Sequence, residues 1–207
     1  MSLSPVELDT LQAMWLPVAL FALVCSASPG PVNIVAVSSG MNFGMRRTLP
    51  QITGAALGFS LLMLAVGMGL GELLRAAPWL LAALKIGGSL FLCYLAYKLF
   101  LASGDGADVR LARPPSFWDG ALAQWLNPKA WIVSAAGVST YTVPGAAYQA
   151  SVAGMTLLFL LICFGSTGAW ALLGASARNC LDNPVLARRF NRAMALLLLL
   201  SVFSLLL

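Results

Sequence analysis

SASPGPVN, residues 26–33, places two prolines and a glycine inside an apolar run long enough to cross a membrane. Proline has no N–H to give a helix, and its ring displaces the carbonyl four residues earlier, so the stretch predicts a helix broken at SPGP, residues 28–31. A second break stands at NPKA, residues 127–130, inside another apolar run. Pro29, Pro31 and Pro128 would release the carbonyls of Cys25, Ala27 and Gln124. A bare carbonyl facing lipid costs several kcal/mol. These groups therefore line a cavity or are satisfied by protein.

Composition agrees with a membrane setting. Of 207 residues, 60% are hydrophobic and 9% charged, with a mean hydropathy of +0.88, whereas soluble domains carry about 25% charged residues. Apolar runs on the scale of the roughly 20 residues that cross about 30 Å of hydrocarbon lie at residues 15–37, 52–70, 79–101, 121–143, 152–173 and 193–207. Six helices leave no room for a soluble domain. The last run is short, which asks its helix to start near Arg188 or the bilayer to thin. The leader MSLSPVELDT carries Glu7 and Asp9 and no base, so it lacks the charged start of a signal peptide and the first helix is expected to be retained.

The net charge of +5 sits in particular loops. Arg46 and Arg47 follow the first helix; Arg110 and Arg113, beside Lys98, follow the third; Arg178, Arg188, Arg189 and Arg192 follow the fifth; the second loop has only Arg75. This pattern speaks for topology rather than a nucleic-acid partner. It predicts loops one, three and five in the cytoplasm and both termini outside, which in a bacterium is the periplasm. The longest polar connection, residues 103–116, divides a single transporter domain into halves at 1–102 and 117–207. Each half has three helices, and they run in opposite senses, as in the inverted repeats of many secondary transporters.

The breaks fall in the first and fourth helices, at corresponding places in the two halves. At about 1.5 Å per residue, Pro29 lies roughly 21 Å from Trp15 and Pro128 roughly 15 Å from Trp118. Each break also starts a new half-helix, whose N–H groups and positive end favour a carboxylate. A proline kink that only shapes the bundle is the plainer reading of one break. Two matched breaks, one followed directly by a lysine, favour a substrate site. The candidates are Ser28, Pro29, Gly30, Pro31, Asn33, Asn127, Pro128 and Lys129.

Lys129 is too deep for easy snorkelling. Asp119 belongs to the cytoplasmic mouth of its helix and Glu72 to the outer end of the second. Its partner is thus a protein carbonyl, water or a substrate carboxylate, or it loses its proton; a structural, carbonyl-capped lysine is the competing reading. Asn33 and Asn127 hold a small polar solute or cap a half-helix. Ser28, Ser38 and Ser39 offer hydroxyls or serve as small packing residues, and Gly54, Gly58, Gly67, Gly69 and Gly71 read as close helix contacts. Lys85 snorkels outward or pairs with Glu72.

No metal or cofactor is expected. The four cysteines, Cys25, Cys93, Cys163 and Cys180, form no CxxC pair, and the chain has no histidine, which argues against zinc or iron and leaves them as packing residues. Carriage of a metal cation would need ligands that are scarce in the membrane. An enzyme would need a nucleophile with its base, and none is present. A membrane interaction protein without transport would tolerate loss of the polar groups at both breaks.

The chain resembles the LysE/RhtB amino acid exporters through SPGPVNIVAVSSGMNFGMRRT at residues 28–48, GAALGF at 54–59, KIGGSLFLCYLAYKLF at 85–100 and SFWDGALAQWLNPKAW at 116–131. VSSG before FGMRR, STYTVP and FGSTGAWALLG make it most similar to the cysteine and O-acetylserine exporter subgroup. The resemblance implies an inner-membrane antiporter with six helices that expels small neutral amino acids by alternating access, coupled to protons. Threonine, homoserine or basic amino acids are the alternative substrates, and a homo-oligomer is compatible with it. Val32 departs from the family pattern, which often has a polar residue there.

Overall fold

The computed structural model describes residues 4–76, 78–101, 113–177 and 184–206. Expectations resting on residues 103–112, on Arg178, on Cys180 and on the side chains of Arg75, Lys85 and Lys98 lie outside this description. Among the described residues all regular structure is helical. The first broken helix is α1 (Pro5–Ala27) and α2 (Pro31–Phe43); α3 (Met45–Ala65) runs through a π turn, Val66–Leu70, into α4 (Gly71–Ala76); α5 (Pro78–Leu101) follows. The second broken helix is α6 (Phe117–Trp125) and α7 (Pro128–Tyr141), followed by α8 (Tyr148–Ser176) and α9 (Pro184–Leu206).

Local chemistry moves three boundaries from their expected places. α1 starts at Pro5 because Ser4 and Glu7 form a reciprocal cap: the Glu7 N–H donates to Ser4 Oγ at 3.3 Å and the Ser4 N–H to the Glu7 carboxylate at 2.8 Å. Such a box satisfies two orphan donors of the first turn. Ser116 and Asp119 repeat the arrangement and start α6 at Phe117. α9 begins before Arg188, and its 23 residues reach roughly 34 Å at about 1.5 Å per residue. An earlier helix start therefore makes up for the short apolar run.

Helices 5–27, 45–70 (α3 with the π turn) and 145–176 (α8 with the turn before it) are each long and apolar enough to cross a membrane. Each half packs into the other: α3 lies against α6 and α8, α2 and α1 against α8, and α5 against α9. Glycines let backbones touch at these crossings. A Cβ on Gly40 would overlap the carbonyl of Ala171, and one on Gly174 the carbonyl of Val37, across α2 and α8. Gly54 meets Phe117 and Gly58 meets Ala121 across α3 and α6. The expected close-contact role of Gly54 and Gly58 is thus what the structure shows, in keeping with packing by small residues in membranes.

The main core lies on the N-terminal side of the first break. Phe59 and Phe159 stack with centroids 5.2 Å apart, Phe21 meets Phe159 edge-on at 5.9 Å, and Tyr141 lies 5.4 Å from Phe21. Val18, Ala22, Leu62, Met63 and Met155 fill the space around these rings.

Candidate functional site

The first break runs from Ser28 to Gly30, which are extended before α2 resumes at Pro31. Its released carbonyls do not face lipid unpaired. Ser28 Oγ donates to the Cys25 carbonyl at 2.9 Å and Trp170 Nε1 to the Ala27 carbonyl at 3.1 Å. Asn33 reaches back from the first turn of α2 and donates Nδ2 to the carbonyls of Ser26 at 2.7 Å and Ser28 at 3.0 Å. Thr167 Oγ1 on α8 then donates to Asn33 Oδ1 at 3.3 Å. Of the two outcomes open for these carbonyls, satisfaction by protein holds.

The second break is tighter. Asn127 caps α7, its Oδ1 accepting the Lys129 N–H at 3.2 Å, and the Asn127 N–H closes on the Gln124 carbonyl at 3.1 Å. Behind it lies Gly88 of α5, where a Cβ would overlap the carbonyl of Leu126 and come within 3.2 Å of Pro128 Cδ. The two half-helices therefore differ. α7 has a side-chain cap, whereas α2 has none. The Ile34 N–H returns to the Gly30 carbonyl at 2.9 Å, but the N–H groups of Val32 and Asn33 find no acceptor among the described residues.

Lys129 joins the breaks. Its Nζ donates to Ser28 Oγ at 2.5 Å, and a Cβ on Gly30 would stand 3.6 Å from that nitrogen. No carboxylate pairs with it among the described residues. Its partner is thus a hydroxyl from the opposite break, rather than a carbonyl of its own. The half-buried ammonium and the uncapped start of α2 face the same space.

That space is a cavity of about 430 Å³, its open mouth included. Ser28, Gly30, Asn33, Asn127 and Lys129 all line it. Pro29, Pro31 and Pro128 do not; they set the backbone, Pro29 exposed and the other two buried. Cys163 and Thr167 also line the cavity and carried no signal in the sequence; Cys25 and Gln124, read there for their backbone carbonyls, line it as well. Gln124 is 6% exposed; its Nε2 makes a long contact of 3.8 Å to Cys163 Sγ, and its Oε1 has no donor among the described residues. An amide three residues before the NPK break, inside an apolar run, was the signal available for it. Cys25 and Cys163 are free thiols that line the cavity, and Cys163 also packs in the main core.

The LysE type translocator family model matches residues 23–207. The chain belongs to the LysE type translocator family. The match covers both breaks and every residue of the cavity. Cysteine/O-acetylserine efflux proteins of Escherichia coli strain HS, Shigella sonnei and Shigella flexneri are each 29% identical to this translocator over 91% of this chain and 93% of their own. No solved structure matches it. As a member of a translocator family, the protein is a membrane transporter and not an enzyme.

Proposed function

We propose that this translocator exports small neutral amino acids or their derivatives, of the cysteine and O-acetylserine kind, from a bacterial cytoplasm. The observation that carries the reading is the meeting of Lys129 with the uncapped start of α2. An ammonium and the uncapped helix start line one cavity, which suits a carboxylate. Gln124 Oε1 and the amide of Asn127 face the same cavity and suit the other end of an α-amino acid. The enclosed part of the cavity is small, which favours a short side chain. The names of the relatives point the same way.

The carrier works by alternating access between two inverted repeats, residues 1–102 and 117–207, joined by the cytoplasmic segment 103–116. The cross-packing of α3 on α6 and of α2 on α8 supports this arrangement. Arg46 and Arg47 at the start of α3, with Arg188 and Arg189 near the start of α9, favour the cytoplasm for these helix ends and the periplasm for both termini. Cysteine probes at residues 46 and 189 test it; labelling only by an external impermeant reagent reverses the assignment. Protons drive the cycle through Lys129. Its ammonium has no counter-charge until a substrate carboxylate arrives, so substrate occupancy and proton occupancy are linked at one nitrogen.

The decisive measurement is counterflow in proteoliposomes with labelled cysteine, O-acetylserine, threonine, homoserine and lysine. Exchange of the first two is expected to exceed that of lysine; exchange of none of them defeats the exporter reading. Lys129→Arg, which stays charged, is expected to retain binding and lose its response to a pH gradient. Gradient-driven export by Lys129→Arg at the wild-type level would send the coupling proton elsewhere.

A further inference from the structure

A second cavity, about 760 Å³ with its open part, lies between α2, α5, α6 and the end of the polar linker. Its mouth carries one charge of each sign. Arg113 Nη2 stands 3.9 Å from Asp119 Oδ2, too far for a hydrogen bond. Asp119 Oδ2 is already held by the N–H and hydroxyl of Ser116, while Oδ1 has no donor among the described residues. The Arg113 guanidinium likewise keeps its donors unspent there. Deeper in, Ser38 is 1% exposed, and its buried Oγ has no partner among the described residues although the residue lines this cavity. A buried hydroxyl without a partner costs free energy that a polar occupant removes.

One apolar layer separates this space from the Lys129 cavity. Val32, Ala55 and Ala123 form a buried cluster with Phe91 packed against it. Val32 lines the central cavity, while Phe91 and Ala123 line the second. On its other side the central cavity abuts the thicker stack of Phe59, Phe159, Phe21 and Tyr141. The thinner wall faces the linker. Here the departure at Val32 gains a meaning, since an apolar side chain at this point keeps the layer dry.

We infer that the linker-side cavity is a second amino-acid subsite, in which Arg113 takes the carboxylate and Asp119 Oδ1 the ammonium before the substrate passes the Val32–Phe91 layer. This rests on the exporter reading for the identity of the ligand as an amino acid. A zwitterion suits a loose ion pair at one mouth, 3.9 Å apart and with Asp119 Oδ1 still open, whereas a purely apolar ligand would leave both charges and Ser38 unused. The side chain of the substrate lies along Val35 and Phe91, with its polar tip at Ser38.

The test uses the full chain in membrane vesicles of both orientations, with labelled O-acetyl-L-serine as the probe. Arg113→Gln is expected to raise half-saturation about tenfold from the linker side only, the scale of one lost charge-assisted contact. Asp119→Asn, which keeps an acceptor for Ser116, is expected to do the same. Equal shifts from both sides, or none, overturn the subsite. A second measurement follows thiol labelling of Val35→Cys in a Lys129→Met background. Protection by O-acetyl-L-serine that persists there and is lost on adding Arg113→Gln supports the subsite; protection that needs Lys129 overturns it. Wild-type protein that moves no amino acid at all strikes the exporter reading instead, and the protection assay still decides whether this cavity binds one.

Discussion

At the first break Asn33 reaches back from α2 to hold the carbonyls of Ser26 and Ser28, whereas at the second Asn127 reaches forward to cap α7. The same side chain beside the same kind of proline break thus serves opposite ends of the problem. One asparagine spends its donor on loose acceptors and leaves its helix start bare; the other spends its acceptor on the helix start. The bare start is the one that Lys129 approaches from the other break. The difference teaches that a broken pair is not two equal half-sites: one break leaves its helix start uncapped, the other supplies the lysine, and on the proposed reading an anion docks between them.

Removing the cation is expected to have the largest effect. Lys129→Met should abolish counterflow while the protein still inserts and purifies, since methionine adds no group that must be solvated. Wild-type flux at normal expression would end the distinction between the breaks. Asn33→Ala comes next. It strips two carbonyls of their donor and is expected to cost about 2 to 3 kcal/mol, given about 1 to 3 for each buried group left unsatisfied; thermal unfolding in detergent reads this. Gly88→Ala forces Leu126 and Pro128 to shift, an overpacking cost of about 1 to 3 kcal/mol, and should weaken substrate affinity along with stability. Asn127→Ala removes a cap worth about 1 kcal/mol, the smallest loss of the series. If Asn127→Ala costs as much as Asn33→Ala, the two breaks are more alike than their hydrogen bonds suggest.

Much of this arrangement was legible because proline acts locally. A missing N–H and a displaced carbonyl belong to Pro29, Pro31 and Pro128 wherever the helix lies, so the breaks could be read without a fold. Lys129 stood out for the same reason, as a charge deep in an apolar run. What could not be read were choices made across space. Whether Asn33 would hold a substrate or its own backbone depends on the turn between Ser28 and Gly30. Gly88 carries no signal of its own in the sequence, and only the fold brings the Leu126 carbonyl against it. Gln124 was noticed for its backbone carbonyl, yet its side chain faces the cavity. The starts of α1 and α6 were missed for a different reason: Ser4 with Glu7, and Ser116 with Asp119, are local capping signals that hydropathy does not weigh.

The backbone contacts between halves bear on the order in which the protein is made. α2 and α3 leave the ribosome long before α6 and α8, so the surfaces around Gly40 and Gly54 must wait in the bilayer without the carbonyls of Ala171 and Phe117 that later fill them. Lipid tails do not fit a glycine-lined groove as a backbone does, and the buried side chain of Gln51 waits with it. The first half is therefore an unfinished bundle during synthesis. Two fragments split within the linker and produced together should find each other, while the first fragment produced alone should be degraded or bind whatever small-residue helix it meets.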